Sequence, residues 1–303
     1  MKYKTSYMKT KVIKIYYYKG NNFGDELGPY IVTQLSGLKT QYKEIVVSPL
    51  RMVLRIIKNI IHFRFYYLKQ IKSISFDKKV LVPIGSTIAR GNKKTTFWGN
   101  GFLNKKESFK GGKIYAVRGK YTDEKLRKDG FKGCSVYGDP ALLLPIIYPI
   151  HNRCIKRNEI GIIPHYLDLP YFQANYSNKY KIIDLTTNNV EGIISEICSC
   201  KKILSTSLHG IIVAQAYDIP ALWIKKNDIG TDGFKFHDYF SSVEIPQYEG
   251  FSNISEILRS SESINTLFNE NKNLTKIQVN LIDLQRNLIK VAPFNVLDKF
   301  KNI

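Results

Sequence analysis

Seven short runs place anion-binding or proton-moving side chains directly after strand-like segments. The strongest is Ser205-Thr206-Ser207-Leu208-His209-Gly210, where an apolar run opens through three hydroxyl-bearing positions into a helix. A helix start offers N–H donors and the positive end of the macrodipole, and His209 adds an imidazole able to work as acid or base. The bland alternative is helix capping. Arg118, in Val117-Arg118-Gly119, ends a strand before a Thr-capped helix, where its fork suits a carboxylate or phosphate; an ion pair between layers is the other reading. His165, in Pro164-His165-Tyr166, offers an acid, a base or a phosphate contact, or else a surface or turn donor.

Four further runs supply polar and aromatic groups. Gly20–Pro29 carries Asn22 and Asp25 between flexible glycines, with a helix expected near Pro29 and no GxGxxG dinucleotide fingerprint. Asp25 is a carboxylate at the site mouth or a cap for that helix. Gly85-Ser86-Thr87 and Phe97-Trp98-Gly99-Asn100-Gly101 read as loops, Trp98 being a sugar platform or a core residue beside a turn. In Gly138-Asp139-Pro140, Asp139 reads as fixing a turn. Asp232–Phe240, with Lys235, reads as a loop closing over the site or packing on its own aromatics.

The elements that must position these runs alternate strand and helix throughout. That rhythm predicts parallel sheets with helices on both faces, twice over: an α/β protein of two Rossmann-like doubly wound domains, with loops at the strand ends facing a cleft. Pro140, Pro145 and Pro149 interrupt the rhythm, so the expected boundary falls near residue 150, giving domains 1–150 and 151–303, the second ending in a helix over 273–290.

Composition sets the remaining limits. The 303 residues, 44% of them hydrophobic, supply a core, and 46 Lys and Arg against 25 acids leave +21. Residues 1–90 hold 17 of the cations and 4 of the acids, so over half the excess sits in under a third of the chain. Within it, Pro49–Gln70 predicts a helix with Arg51, Arg55, Lys58, His62 and Lys69 on one face and an aliphatic-aromatic remainder, which suits an anionic membrane surface or a core helix with a solvated edge. No nucleic-acid motif accompanies the charge. Four cysteines without a Cys-x-x-Cys pair point to free thiols and no metal site. No secretory signal or spanning segment is visible, so the expected location is cytoplasmic, peripheral on the inner membrane face.

In order, these runs resemble the polysaccharide pyruvyl transferase family: "NNFGDELGP" from Asn21, "IGS" from Ile84, "WGNG" from Trp98, "VRG" from Val117, "GDPALLLP" from Gly138, "IGIIPHYLD" from Ile160, "STSLHGIIVAQAYDIPALWI" from Ser205 and "KFHDYFSS" from Lys235. The resemblance implies a fold like the two-domain GT-B glycosyltransferases. It implies transfer of pyruvyl from phosphoenolpyruvate, a co-substrate rather than a cofactor, onto two sugar hydroxyls as a cyclic ketal. It places Arg118, Ser207, Leu208 and His209 at the donor. Some members have Arg at the position of Ser207, and Lys235 or the helix start is expected to replace it. Asn22, Asp25, Trp98 and Asn100 are expected on the acceptor side, the acceptor being a sugar or lipid-linked oligosaccharide. His209 is the expected acid, and Asp25 or His165 the base. A nucleotide-sugar glycosyltransferase of the same fold is the nearest alternative.

Overall fold

The computed structural model describes residues 12–45, 57–58, 60–61, 80–150, 157–226 and 230–303. Among them lie two wholly parallel sheets. The first has five strands, β1 (Ile13–Ile15), β2 (Thr40–Tyr42), β3 (Val80–Val82), β4 (Thr95–Asn100) and β5 (Lys113–Val117), in the order β2-β1-β3-β4-β5. The second has four, β6 (Asn158–Ile163), β7 (Lys181–Ile182), β8 (Cys200–Ser205) and β9 (Ala221–Trp223), in the order β7-β6-β8-β9. In each sheet the order reverses beside the first strand, between β1 and β3 and between β6 and β8. Such a reversal opens a crevice at the carboxyl ends of the strands, where α/β proteins bind ligands. Most of the expected Pro49–Gln70 helix lies outside the described residues. Ile57, Lys58, Ile60 and Ile61 are described; all four are helical and exposed.

The longer helices among the described residues are α1 (Phe23–Ser36), α2 (Lys120–Lys128), α3 (Leu169–Tyr176), α4 (Val190–Cys198), α5 (Leu208–Ala216), α6 (Phe234–Val243), α7 (Ser261–Glu270) and α8 (Leu281–Lys290). α1 starts six residues before the expected Pro29, because the Asn22 carboxamide oxygen accepts from the Gly24 amide at 2.9 Å and caps it there. The run around Asp232–Phe240 is mostly helix rather than loop. Phe236, Tyr239, Phe240 and Val243 recur at helical spacing and are buried, and Phe236 stacks on Trp223 with ring centroids 4.1 Å apart.

Two expectations are corrected by burial. Phe97–Asn100 is not a loop but the end of β4, where register shifts against β5 on either side of Trp98. Gly99 sits there at φ +77, and a Cβ on it would lie 2.2 Å from Pro140. The glycine therefore marks an irregular strand packed against its neighbour, not a turn. The first part of the proline-rich stretch is no exposed linker: Pro140–Leu143 forms a 3-10 turn, followed by a helical turn Leu144–Ile147, and Ala141 through Leu144 are wholly buried.

The strands of the first sheet end at Val117 and those of the second begin at Asn158, yet the chain crosses back. Trp98 donates its indole N–H to the Leu288 carbonyl at 3.0 Å, Gln285 donates to the Leu142 carbonyl at 2.7 Å, and the Leu297 amide donates to Leu35 at 2.8 Å. α8 and the tail after it thus pack on the first sheet's side. One continuous apolar cluster runs through both halves, from Ile15 and Phe23 to Ile203 and Leu222. That shared core fixes the strand ends of the two sheets relative to each other.

Candidate active site

The two halves meet where α1, the Asp139–Leu143 turn and α5 converge. Ser205 ends β8 and ties the following turn down, donating to the Ile163 carbonyl at 2.8 Å and accepting from the Ser207 amide at 2.9 Å. The Thr206 hydroxyl accepts from the His165 amide at 2.7 Å, which joins the loops after β6 and β8 at the strand-order reversal. α5 then begins at Leu208 with no side-chain cap, so its first-turn amides have no side-chain acceptor among the described residues. The Ser207 hydroxyl makes no hydrogen bond within the described residues. Gly210 lets α5 sit on the sheet, since a Cβ there would lie 2.5 Å from the Ser205 hydroxyl.

His209 leaves α5 toward the first half. Its Nδ1 lies against Gly24, where an added Cβ would come within 2.2 Å, so glycine is required for the imidazole to fit. Its Nε2 is 3.9 Å from Asp139 Oδ2, beyond hydrogen-bond reach, and both atoms are buried without a partner. Burial, then the nearby charges of Lys235 and Arg118, hold the imidazole down at about 3. Burial pushes the Asp139 carboxyl up to about 7, against the pull of the Ala141 amide and of Arg118. Between about pH 3 and pH 7 this couple therefore keeps its proton on the carboxyl and its imidazole neutral. Asp139 does fix its turn, its Oδ1 accepting from Ala141 at 2.9 Å. Its other oxygen, facing His209, was not legible in the sequence, where Asp-Pro signals only a turn.

Arg118 is wholly buried and committed. Nε pairs with Asp238 at 2.9 Å, Nη1 donates to the Ser86 hydroxyl at 2.6 Å, and Nη2 to the Phe102 carbonyl at 2.6 Å. The interlayer ion pair is what the structure contains; a fork presented to a ligand is not. Asp238, unassigned from sequence, also accepts from the Thr122 amide and hydroxyl, both at 2.7 Å. It thereby caps α2, whose own cap position is Gly119, without a side chain. Close approach of α6 demands that glycine, because a Cβ on Gly119 would overlap the Asp238 carbonyl.

Lys235, one helical turn before Asp238's level on α6, makes no ion pair or hydrogen bond with any described residue; its Nζ lies 5.2 Å from the centre of the Phe236 ring. Burial and then Arg118 hold its ammonium at about 8, and its own charge reaches both His209 and His165. His165 is partly buried, held at about 4 by burial and then Lys235, and its ring lies 4.4 Å from that of exposed Tyr166. Asp25, at the start of α1, is raised to about 7 by burial and then Glu26, with Arg90 and the Tyr18 amide opposing.

The residues expected on the acceptor side divide. Asp25 and Asn22 open α1 beside His209's neighbour Gly24. Trp98 is 0% exposed with its N–H satisfied, and its ring meets Phe294 edge-on at 5.3 Å. Asn100 is also 0% exposed, donating to the Ile84 carbonyl at 2.7 Å and accepting from the Thr87 amide at 3.0 Å. Trp98 packs against the α8 end of the chain and Asn100 holds the Gly85–Thr87 loop and the Arg118 backbone, so neither is a surface offered to a sugar. Among the described residues no cluster of His, Cys, Asp or Glu could hold a metal ion, and no helix is long and apolar enough to cross a membrane.

Comparison with known proteins meets this geometry. A model of the family described as polysaccharide pyruvyl transferase matches residues 22–225, more than half of the chain and the span that holds Asp25, Arg118, Asp139, His165 and His209. The chain is also similar to the uncharacterized protein L143 of Acanthamoeba polyphaga mimivirus, 33% identical over 196 residues, covering 61% of this chain and 67% of that protein.

Proposed function

The chain belongs to the polysaccharide pyruvyl transferase family, and from that premise we propose that it moves the pyruvyl group of phosphoenolpyruvate onto two hydroxyls of one sugar, forming a cyclic ketal and releasing phosphate. Lys235, the Ser207 hydroxyl and the first-turn amides of Leu208 and His209 take the donor's phosphate and carboxylate. Arg118 adds its charge from behind while its guanidinium stays with Asp238. The arriving negative charge raises the imidazole of His209, which then takes up a proton.

His209 then delivers that proton to the methylene carbon of the donor, making it a methyl group and leaving the adjacent carbon electrophilic. The first sugar hydroxyl bonds to that carbon and gives up its proton. The carbon–oxygen bond to phosphate breaks, phosphate leaves, and the second hydroxyl closes the ketal. Asp25 and His165 are the groups to accept hydroxyl protons: His165 is a neutral base above about pH 4, and Asp25 ionises near 7. Proton transfers of this kind are worth about 10²–10⁴-fold each.

The observation that carries this reading is an unpaired buried imidazole–carboxyl couple at an uncapped helix start, beside a lysine without an anionic partner among the described residues. Incubation with phosphoenolpyruvate and a panel of free and lipid-linked glycans tests it. The expected outcome is phosphate release in step with a glycan mass gain of pyruvate less water. Sugar transfer from a nucleotide sugar, with phosphoenolpyruvate left intact, overturns it.

We propose a lipid-linked acceptor at an anionic membrane as the natural setting, because the cations of residues 1–90 far exceed what one small donor needs. Co-sedimentation with anionic but not neutral vesicles is expected; equal recovery with both counts against it.

A further inference from the structure

An open groove of ≈ 440 Å³ runs along the outer side of α1, walled opposite by the start of α4, and its lining includes Glu26, Tyr30, Gln34, Asn188, Asn189 and Glu191. It starts one residue from Asp25. From Glu26 to Gln34 the α1 wall is about 12 Å long at 1.5 Å per residue, which is longer than a single sugar ring. The volume lies within the ~300–1,000 Å³ of small-molecule sites.

The lining chemistry is selective. Amide side chains, hydroxyls and a tyrosine ring are groups that satisfy a polyhydroxylated ligand by hydrogen bonds and apolar stacking. Tyr30 is held in place by donating its hydroxyl to Glu191 at 2.9 Å. The groove carries two carboxylates, Glu26 and Glu191, and no Lys or Arg among its described lining residues, in a chain with 46 such cations against 25 acids. Glu26 and Glu191 put carboxylates on both walls, so an acidic sugar brought here meets like charge. This surface is the reverse of the donor site, where Lys235, Arg118 and helix amides favour anions.

We infer that the groove seats the uncharged arm of the acceptor glycan, the sugars adjoining the one that receives the ketal; this rests on the reading of the chain as a pyruvyl transferase with a sugar acceptor. The enzyme then selects a neutral oligosaccharide over both a monosaccharide and an acidic glycan.

The test is ligand-observed NMR binding, without donor, of linear neutral hexose oligomers of one to five units and of oligouronates of the same lengths. Affinity for the neutral series is expected to rise about tenfold with length, or about 1.4 kcal/mol, while oligouronates fail to bind. Gln34→Trp and Asn188→Trp place bulk in the groove from its two walls, at exposed positions whose side chains make no bonds that hold the fold. Each is expected to abolish the length dependence. Equilibrium binding of phosphoenolpyruvate reports separately on the donor site in every variant. Affinity indifferent to length, oligouronates binding as well as neutral oligomers, or length dependence surviving both substitutions overturns the inference. Length dependence in a protein that never binds phosphoenolpyruvate keeps the groove and removes the pyruvyl transferase reading instead.

Discussion

Two buried couples of acid and base lie at the junction of the halves, and they are finished to different degrees. In Arg118–Asp238 the guanidinium bonds through Nε and both terminal nitrogens, and the carboxylate takes three donors. In His209–Asp139 one oxygen is used, while Asp139 Oδ2 and His209 Nε2 face each other at 3.9 Å with nothing between them that bonds either. A buried polar atom without a partner costs about 1–3 kcal/mol. The first couple has no such debt and ties β5, α2 and α6 together. The second carries it twice, at the spot where Gly24 makes room for the ring. Strain of this sort is tolerated where a ligand relieves it, so the saturated couple reads as scaffold and the unsaturated one as chemistry.

The largest effect expected from that contrast is on turnover. His209→Ala and Asp139→Asn are each expected to lower kcat by about 10²–10⁴-fold while leaving the melting temperature close to that of wild type, since the first removes a buried nitrogen that has no partner and the second replaces an unpaired oxygen by an isosteric amide nitrogen. In Asp139→Asn the amide oxygen still accepts from Ala141. Steady-state phosphate release and thermal unfolding on the same samples decide it. A variant that unfolds while its remaining folded fraction turns over normally would reverse the roles of the two couples.

Much of this arrangement is visible in the chain before folding, and the exceptions have physical causes. Alternating apolar and polar runs announced parallel sheets, and His209 stood out because a buried strand, hydroxyls and a helix start coincide there. Trp98 misled because two glycines and an asparagine look like a turn; only packing against Pro140 shows that Gly99 marks an irregular strand that turns the indole inward. Asp139 was hidden because one oxygen does what an Asp-Pro turn requires, and the other's neighbour lies 70 residues further along the chain. Arg118 was recognised as anion-binding, but its anion, Asp238, comes from α6, which the sequence presents as an aromatic loop.

The next effect tests the scaffold couple. Arg118→Ala leaves Asp238 buried without its cation, and breaking a buried pair in this way is expected to cost about 3–5 kcal/mol. Asp238→Ala is expected to cost at least as much, because it also uncaps α2. Replacing both together, Arg118→Met with Asp238→Leu, is expected to recover part of the loss, since no charge is then stranded although α2 stays uncapped. Urea unfolding of the three variants measures this. An Arg118→Ala protein of normal stability with weakened phosphoenolpyruvate binding would return Arg118 to the donor site as a direct anchor.

The smallest effect is a slope, and it isolates the proton shared by His209 and Asp139. Their ordinary values are 6.5 and 3.8; in the fold they stand at about 3 and about 7. Between about pH 4 and 6.5 the unfolded chain holds its proton on the histidine and the folded chain holds it on the aspartic acid. Each state binds one proton, so the couple adds no pH dependence to stability there. Asp139→Asn removes the carboxyl but not the burial, Lys235 and Arg118 that depress His209. The folded variant then binds fewer protons at this position than the unfolded one, and its stability is expected to rise with pH relative to wild type, by up to ~1.4 kcal/mol per unit between about 4 and 6.5. Wild type loses ground in the same difference because an acid with a raised folded pKa stabilises only while protonated. Unfolding free energies of the two proteins across that range, subtracted, show the slope directly, since all other titrating groups cancel. Parallel curves would mean that the proton does not change hands on folding, and the imidazole would then hold its own proton before any donor arrives.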